Sequence, residues 1–238
     1  MNAATDYRPD FRLDGFEPVN DAVEEAFWSH IDSDRDSMTT LASHHSPNGR
    51  HSFYVIHNGA VTWGIPGQPQ LVALRLERDN AAATFSFEHA ELPLAAMAQS
   101  WLIKRGCPAE AIGLPPGMGT DPADTATVAL QQRLMGDGDH FALIHSYTDD
   151  TSSKPETTVL LRALDGRVEK PFRVLLEQAD LDTFTHTLRE GGFESYEAAT
   201  SWMDNRSSPL PPAAPSTVRT AGPVARPAAP PQVRGRGR

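Results

Sequence analysis

Apolar residues recur at several spacings along this chain, and the changes of spacing mark its elements. Val23, Phe27 and Ile31 fall every fourth residue, which lays one apolar stripe along a helix. Asn20 or Asp21 can accept from the first free N–H groups of that helix, and Glu24 sits in its first turn. From Ser37 to His45 the pattern changes to weak alternation. Asn48-Gly49, inside the stretch Ser46 to Arg50, suits the positive φ of a tight hairpin turn. His51 to His57 then reads as a strand centred on Phe53 to Ile56, and Asn58-Gly59 as a second turn leading into Ala60 to Gly64. Val72, Leu74 and Leu76 alternate with polar or small residues, as do Phe85 and Phe87. Short strands joined by short turns pair antiparallel.

Pro93 opens a second helix with Leu94, Met97, Ala98, Trp101 and Leu102 on one face, closed by Gly106 and Pro108. Residues 107–120 are rich in Gly and Pro and read as a connector. Asp121-Pro122 reads as the start of a third helix, with Ala123, Thr127, Leu130 and Leu134 inward and Gly136 at its end. Strands follow at 140–148, 156–164 and 171–178, with a weaker one at 183–189. Ser195 can cap a last helix bearing Tyr196, Ala199 and Met203.

The order helix, strands, helix therefore occurs twice. A shift of 101 lays Asp79–Trp101 on Asp180–Trp202, with identities at Asp79/Asp180, Thr84/Thr185, Ala98/Ala199, Ser100/Ser201 and Trp101/Trp202. The expected fold is α+β: two antiparallel-sheet units, each with helices on one face of its sheet, as a tandem pseudo-repeat. The expected divisions are an extended segment 1–18 held by Phe11, Leu13 and Phe16, a first unit 19–107, a connector 108–120, a second unit 121–205 and a disordered tail 206–238.

Composition adds two points. One cysteine, Cys107, excludes an internal disulfide and fits a reducing compartment. With no basic start followed by an apolar run, and no run of about 18 apolar residues, a cytoplasmic protein without a membrane span is expected. Eighteen of the 21 basic residues are arginine, a bias expected of a GC-rich bacterial genome.

Charge is uneven. The chain carries −10, but residues 205–238 hold six arginines and no acid, which leaves the preceding body at −16. Such a body repels nucleic acid. The tail offers Arg206, Pro209 and Pro212 in the R-x-x-P-x-x-P spacing of polyproline ligands, and Arg234, Arg236 and Arg238 for phosphates.

Candidate chemistry is thin. With Asn48-Gly49 as a two-residue turn, His44 pairs with Phe53 and Thr40 with His57. His44, His51 and His57 then share one sheet face, and His45 takes the other. His44 and His51 are diagonal neighbours, while His57 lies roughly 13 Å along the strand from Phe53. A metal site needs three or four converging donors, so these histidines with Phe53 form a candidate surface and not a metal centre. Asp32, Asp34 and Asp36 imitate the opening of a calcium loop, but Ser37 and Ser43 stand where Gly and Glu are required. No nucleophile motif or phosphate loop occurs, Cys107 reads as a buried hydrophobe, and no cofactor is implied.

The first expectation is therefore a non-enzymatic interaction or adaptor protein with a protein partner, self-association being left open. The second is a small-molecule binder or enzyme with its site in the groove between the units. The third is weak nucleic-acid association through the tail.

Overall fold

The computed structural model describes residues 7–65, 67–137 and 140–213. Each unit opens with a two-residue strand and a helix, runs through a four-strand meander and ends on a helix. In the first unit these are β1 (Glu17–Pro18), α1 (Asp21–Phe27), β2 (Met38–His45), β3 (His51–Asn58), a short α2 (Val61–Gly64), β4 (Leu71–Asp79), β5 (Thr84–Leu92) and α3 (Ala95–Lys104). The second unit has β6 (Asp121–Pro122), α4 (Thr125–Asp137), β7 (Phe141–Asp149), β8 (Glu156–Ala163), β9 (Phe172–Asp180), β10 (Thr185–Phe193) and α5 (Tyr196–Asp204). Strand order is β1-β5-β4-β3-β2 in one sheet and β6-β10-β9-β8-β7 in the other.

The repeat extends to backbone detail. Glu17 N–H donates to Ala83 and Val19 N–H to Phe85; Asp121 donates to Phe184 and Ala123 to His186 in the same way. Asn20 caps α1 by accepting from Val23 N–H, and Asp124 caps α4 by accepting from Thr127 N–H. Asp79 accepts from the next two free amides of the β4–β5 turn, and Asp180 does so in the β9–β10 turn. Ala83 and Phe184 both hold a φ of 54° in those turns.

Four expectations need correction. Asp121-Pro122 is not a helix start. It pairs in parallel with Thr185 and His186, an edge position that tolerates a proline, and the helix begins after Asp124. Residues 61–64 form one helical turn and not a strand. The helices lie on both faces of each sheet. Phe11, Phe27 and Ile31 pack on Tyr54, Ile56 and Leu74, whereas Ala98, Leu102 and Ile112 pack on Phe53, Val55 and Ala73. The cause is in the strands: His51–Asn58 is apolar on alternate residues of both faces at its centre, so both must be covered. The same holds in the second sheet, with α4 and the start of α3 on Val159, Leu161 and Leu175, and α5 on Leu160, Val174 and Leu176. Fourth, α5 buries Ala199 and Trp202 and leaves Tyr196 exposed.

Helix α3 is shared. Its Ala98 and Leu102 belong to the first sheet, while Leu94 at its cap and Ala96 enter the core of the second. The units thus meet through α3 and α4 between the two sheets.

The N-terminal segment is fixed by Phe11, which is 3% exposed, with Leu13 and Phe16 beside it, as expected. A buried guanidinium clamps it: Arg78 donates to the carbonyls of Phe11, Arg12 and Gly49 and to Ser52 Oγ. The segment after α5 also belongs to the body. Trp202 Nε1 donates to Ser208 O, Gly192 N–H donates to Pro211 O, and Leu210 packs in the α5 core. Of the tail drawn at 206–238, residues 206–213 therefore lie against the second unit, and the remainder falls outside the described residues.

Candidate functional site

The histidine face is built as the turn chemistry required, up to one bulge. His44 pairs with Phe53 and His45 with Ser52, but Leu41 is an extra residue, so Thr40 opposes Ile56 and Thr39 opposes His57. His44 and His51 both lean on Phe53, with ring centroids at 6.1 and 6.3 Å. His45 takes the other face and hydrogen-bonds Ser52 Oγ at 2.8 Å. Burial lowers the pKa of His45, His51 and His57, so all three favour the neutral ring. The face gathers two imidazoles around a buried phenyl ring, and the carboxylate opposite His51, Glu77, is paired with Arg50 and Arg75.

The other sequence candidates are occupied. Asp34 accepts from Asn58 Nδ2 at 3.1 Å, Asp36 pairs with Arg8 and Asp32 with Arg35. Cys107 is buried, which pushes its thiol up to about 11 and keeps it unreactive. Arg206 stacks over Trp202 at 5.7 Å, pairs with Glu156 and donates to Thr158 Oγ1 at 2.9 Å. Its partner prolines are split: Pro209 and Pro212 are exposed, but Pro212 O accepts from Lys170 and its backbone bridges Gly191. The R-x-x-P-x-x-P stretch is thus laid against the body. Arg234, Arg236 and Arg238 lie outside the described residues.

The groove between the units is real and small. A cavity of 280 Å³ is lined by Leu92, Met97 and Trp101 from the first unit and by Leu134, Phe141 and Leu161 from the second. Its charged groups have other duties. Arg105 stacks on Trp101 at 3.5 Å and bonds Glu88, and Asp137 pairs with the buried Arg173. The Ser100 hydroxyl, which also lines the cavity, is buried with no hydrogen-bond partner among the described residues.

The two outer edges differ most. On β2 the Thr40 amide is taken by Tyr7 O, and the strand carries Thr39, Thr40, Ser43, His44 and His45. On β7 the Thr148 amide is taken by Gly67 O, where a Cβ on Gly67 would fall 2.3 Å from the Tyr147 ring. Because antiparallel pairing alternates, Ser146 N–H points the same outward way as Thr148. Among the described residues no backbone group meets it. The strand exposes Leu143, Ile144 and Tyr147, and α2 with its C-cap, just before the Gly67 contact, exposes Trp63 at 83% and Ile65 at 60%. Sequence reading missed this edge because alternation gives faces of a strand and not its place in a sheet. The run of Phe141, Leu143, Ile144 and Tyr147 was the only available sign.

Sequence reading also missed His30, His89 and Glu91, whose ligand atoms all lie within 4.8 Å of one another. His89 and Glu91 are two apart on one strand, a legible pairing, but only the sheet order brings His30 to them. No helix among the described residues is long and apolar enough to cross a membrane. Comparison with protein-family models, curated proteins and solved structures finds no match for the chain.

Proposed function

We propose that this chain is a non-enzymatic docking module that takes an extended segment of a partner protein along the outer edge of β7. The observation that supports it is the contrast between the two sheet edges. An open strand with exposed Leu143, Ile144 and Tyr147 is a template for strand addition, in which backbone bonds supply affinity and side-chain pockets specificity. The β2 edge is polar and crossed by the N-terminal segment. The −16 body favours a segment with basic flanks around apolar residues.

The test uses full-length protein, the chain ended after Ala213, and the variants Ile144→Lys and Tyr147→Lys, as baits in host lysate with and without nuclease. Ending the chain earlier would strip the segment that covers Trp202. A partner held by both unsubstituted baits and released by both variants, with unchanged circular dichroism, is the expected result. A partner held equally by the lysine variants overturns the reading. A partner lost on truncation or nuclease treatment instead favours nucleic acid or the tail.

A second reading places a small apolar ligand in the inter-unit groove. The Ser100 hydroxyl, unpartnered among the described residues and lining a 280 Å³ cavity of mixed apolar and charged groups, favours it. Thermal-shift screening with Ser100→Ala as the control separates it from the first: a ligand whose shift disappears in that variant, with no partner captured, supports the groove.

A further inference from the structure

His30, His89 and Glu91 meet where α1 crosses the far half of β5. The pleat puts His89 and Glu91 on the same face as Phe85 and Phe87, the face that α1 covers. Helix α1 continues as a π turn over Trp28–Asp32, which sets His30 above the strand. Such turns are rare and concentrate at functional sites. The His30 and His89 rings lie 4.6 Å apart, and Phe87 stacks on His89 at 5.6 Å.

None of these three side chains makes a hydrogen bond or ion pair with a described residue. Two imidazoles brought together beside a carboxylate gain little from each other. They gain much from a cation that accepts all three. Two nitrogens and one carboxylate oxygen suit zinc, cobalt, nickel or copper, whereas calcium and magnesium call for oxygen donors. Zinc bonds of about 2.0–2.1 Å place tetrahedral donors roughly 3.3 Å apart. His30 and Glu91 are both exposed, so side-chain rotation alone can close the set.

The surroundings point the same way. β1 pairs with β5 only at Thr84 and Phe85, which leaves the half of β5 that bears His89 and Glu91 without a strand beyond it. In the second unit the matching half of β10 is closed by Pro211 and Pro212. An ion held by α1 and β5 fastens the first unit where the chain itself fastens the second.

We propose that His30, His89 and Glu91 form a three-ligand site for a divalent transition metal of the zinc class, with a fourth position open to solvent. This is independent of the β7 edge.

Tag-free full-length protein is titrated calorimetrically with zinc, then with calcium, and its cobalt form is read by visible absorption. One zinc per chain is expected, with affinity falling at least about tenfold in each of His30→Ala, His89→Ala and Glu91→Gln. The His44→Ala/His51→Ala pair should bind as the unsubstituted protein does. Four-coordinate cobalt bands should appear in the unsubstituted protein and vanish in His89→Ala. His30→Ala and Glu91→Gln change only exposed side chains, so they keep the test intact if His89→Ala misfolds. No saturable binding up to about 1 mM zinc, binding that survives all three substitutions, or calcium binding as tight as zinc would each overturn the proposal.

Discussion

At the corner where the first helix of each unit crosses its last strand, the first unit holds His30, His89 and Glu91, and the second holds Arg133, Asp137, Glu190 and Arg173. His89 and Glu190 occupy the same position under the 101-residue shift. In the second unit the charges are buried and answer one another. Arg173 is 3.5 Å from Asp137 and 3.0 Å from Glu190, lies over the Phe141 ring, and Arg133 closes on the other oxygen of Glu190. The Arg173–Glu190 contact lies outside hydrogen-bond geometry, so Coulomb attraction carries it. In the first unit the groups are more exposed and pair with no charged or hydrogen-bonding group among the described residues. One frame has thus been finished twice, once with an internal ion network and once with donors turned outward. Duplicated architecture fixes where a corner is, and the residues placed there decide whether it is structural or available.

The largest expected effect tests the closed corner. Arg173→Ala leaves Asp137 and Glu190 buried without their shared cation and should cost about 3–5 kcal/mol in urea unfolding. In metal-free protein His89→Ala should cost about 1 kcal/mol or less, because only a half-buried ring contact is lost. Equal costs at the two corners would break the comparison.

The paired tryptophans come next. Trp202 is 8% exposed among Leu160, Val174 and Phe193, so Trp202→Ala should cost about 3–4 kcal/mol. Trp101 is half-buried, sandwiched between its core and Arg105, and its removal should cost about 1–2 kcal/mol. A larger loss at Trp101 would show that α3, and not α5, anchors the tighter sheet contact.

A smaller effect concerns Glu177, which is paired with Thr157 and Leu188 across its strands and has no cation paired with it among the described residues. Burial pushes its carboxyl up to about 7. The folded state then binds more protons than the unfolded chain between about pH 4.5 and 7, so stability falls as pH rises through that window. Since the side chain is partly open to water, Glu177→Gln should stabilise by about 1–2 kcal/mol at pH 8 and by nearly nothing at pH 4. Denaturant midpoints at the two pH values check this; a gain of the same size at both would remove ionisation as the cause. The equivalent residue in the first unit is Leu76, which is fully buried and should give no such dependence.

Much of the frame was legible because it rests on local chemistry. Asn48-Gly49 gave the β2–β3 turn, and the Asp79/Asp180 identity proved to be one turn-capping device used twice. Glu17-Pro18 and Asp121-Pro122 are also equivalent, at a shift of 104, but unequal connections between β3 and β4 and between β8 and β9 hid the match from a single offset. The Leu41 bulge was invisible because nothing local demands it. The candidate sites were less legible still. The Phe53 face was read correctly from strand parity, whereas His30 stands 59 residues from His89 and joins it only through the long-range crossing of α1 and β5. The β7 edge depends on strand order, which no periodicity encodes.

The open edge is the claim on which the proposed function rests, and amide hydrogen exchange in the free full-length protein tests it most directly. The Thr40 and Thr148 amides, bonded to Tyr7 and Gly67, should be protected. The Ser146 amide should exchange at least about tenfold faster than Thr148 two residues away. Ser146 exchanging as slowly as Thr148 would contradict the account, because the β7 edge would then already be covered.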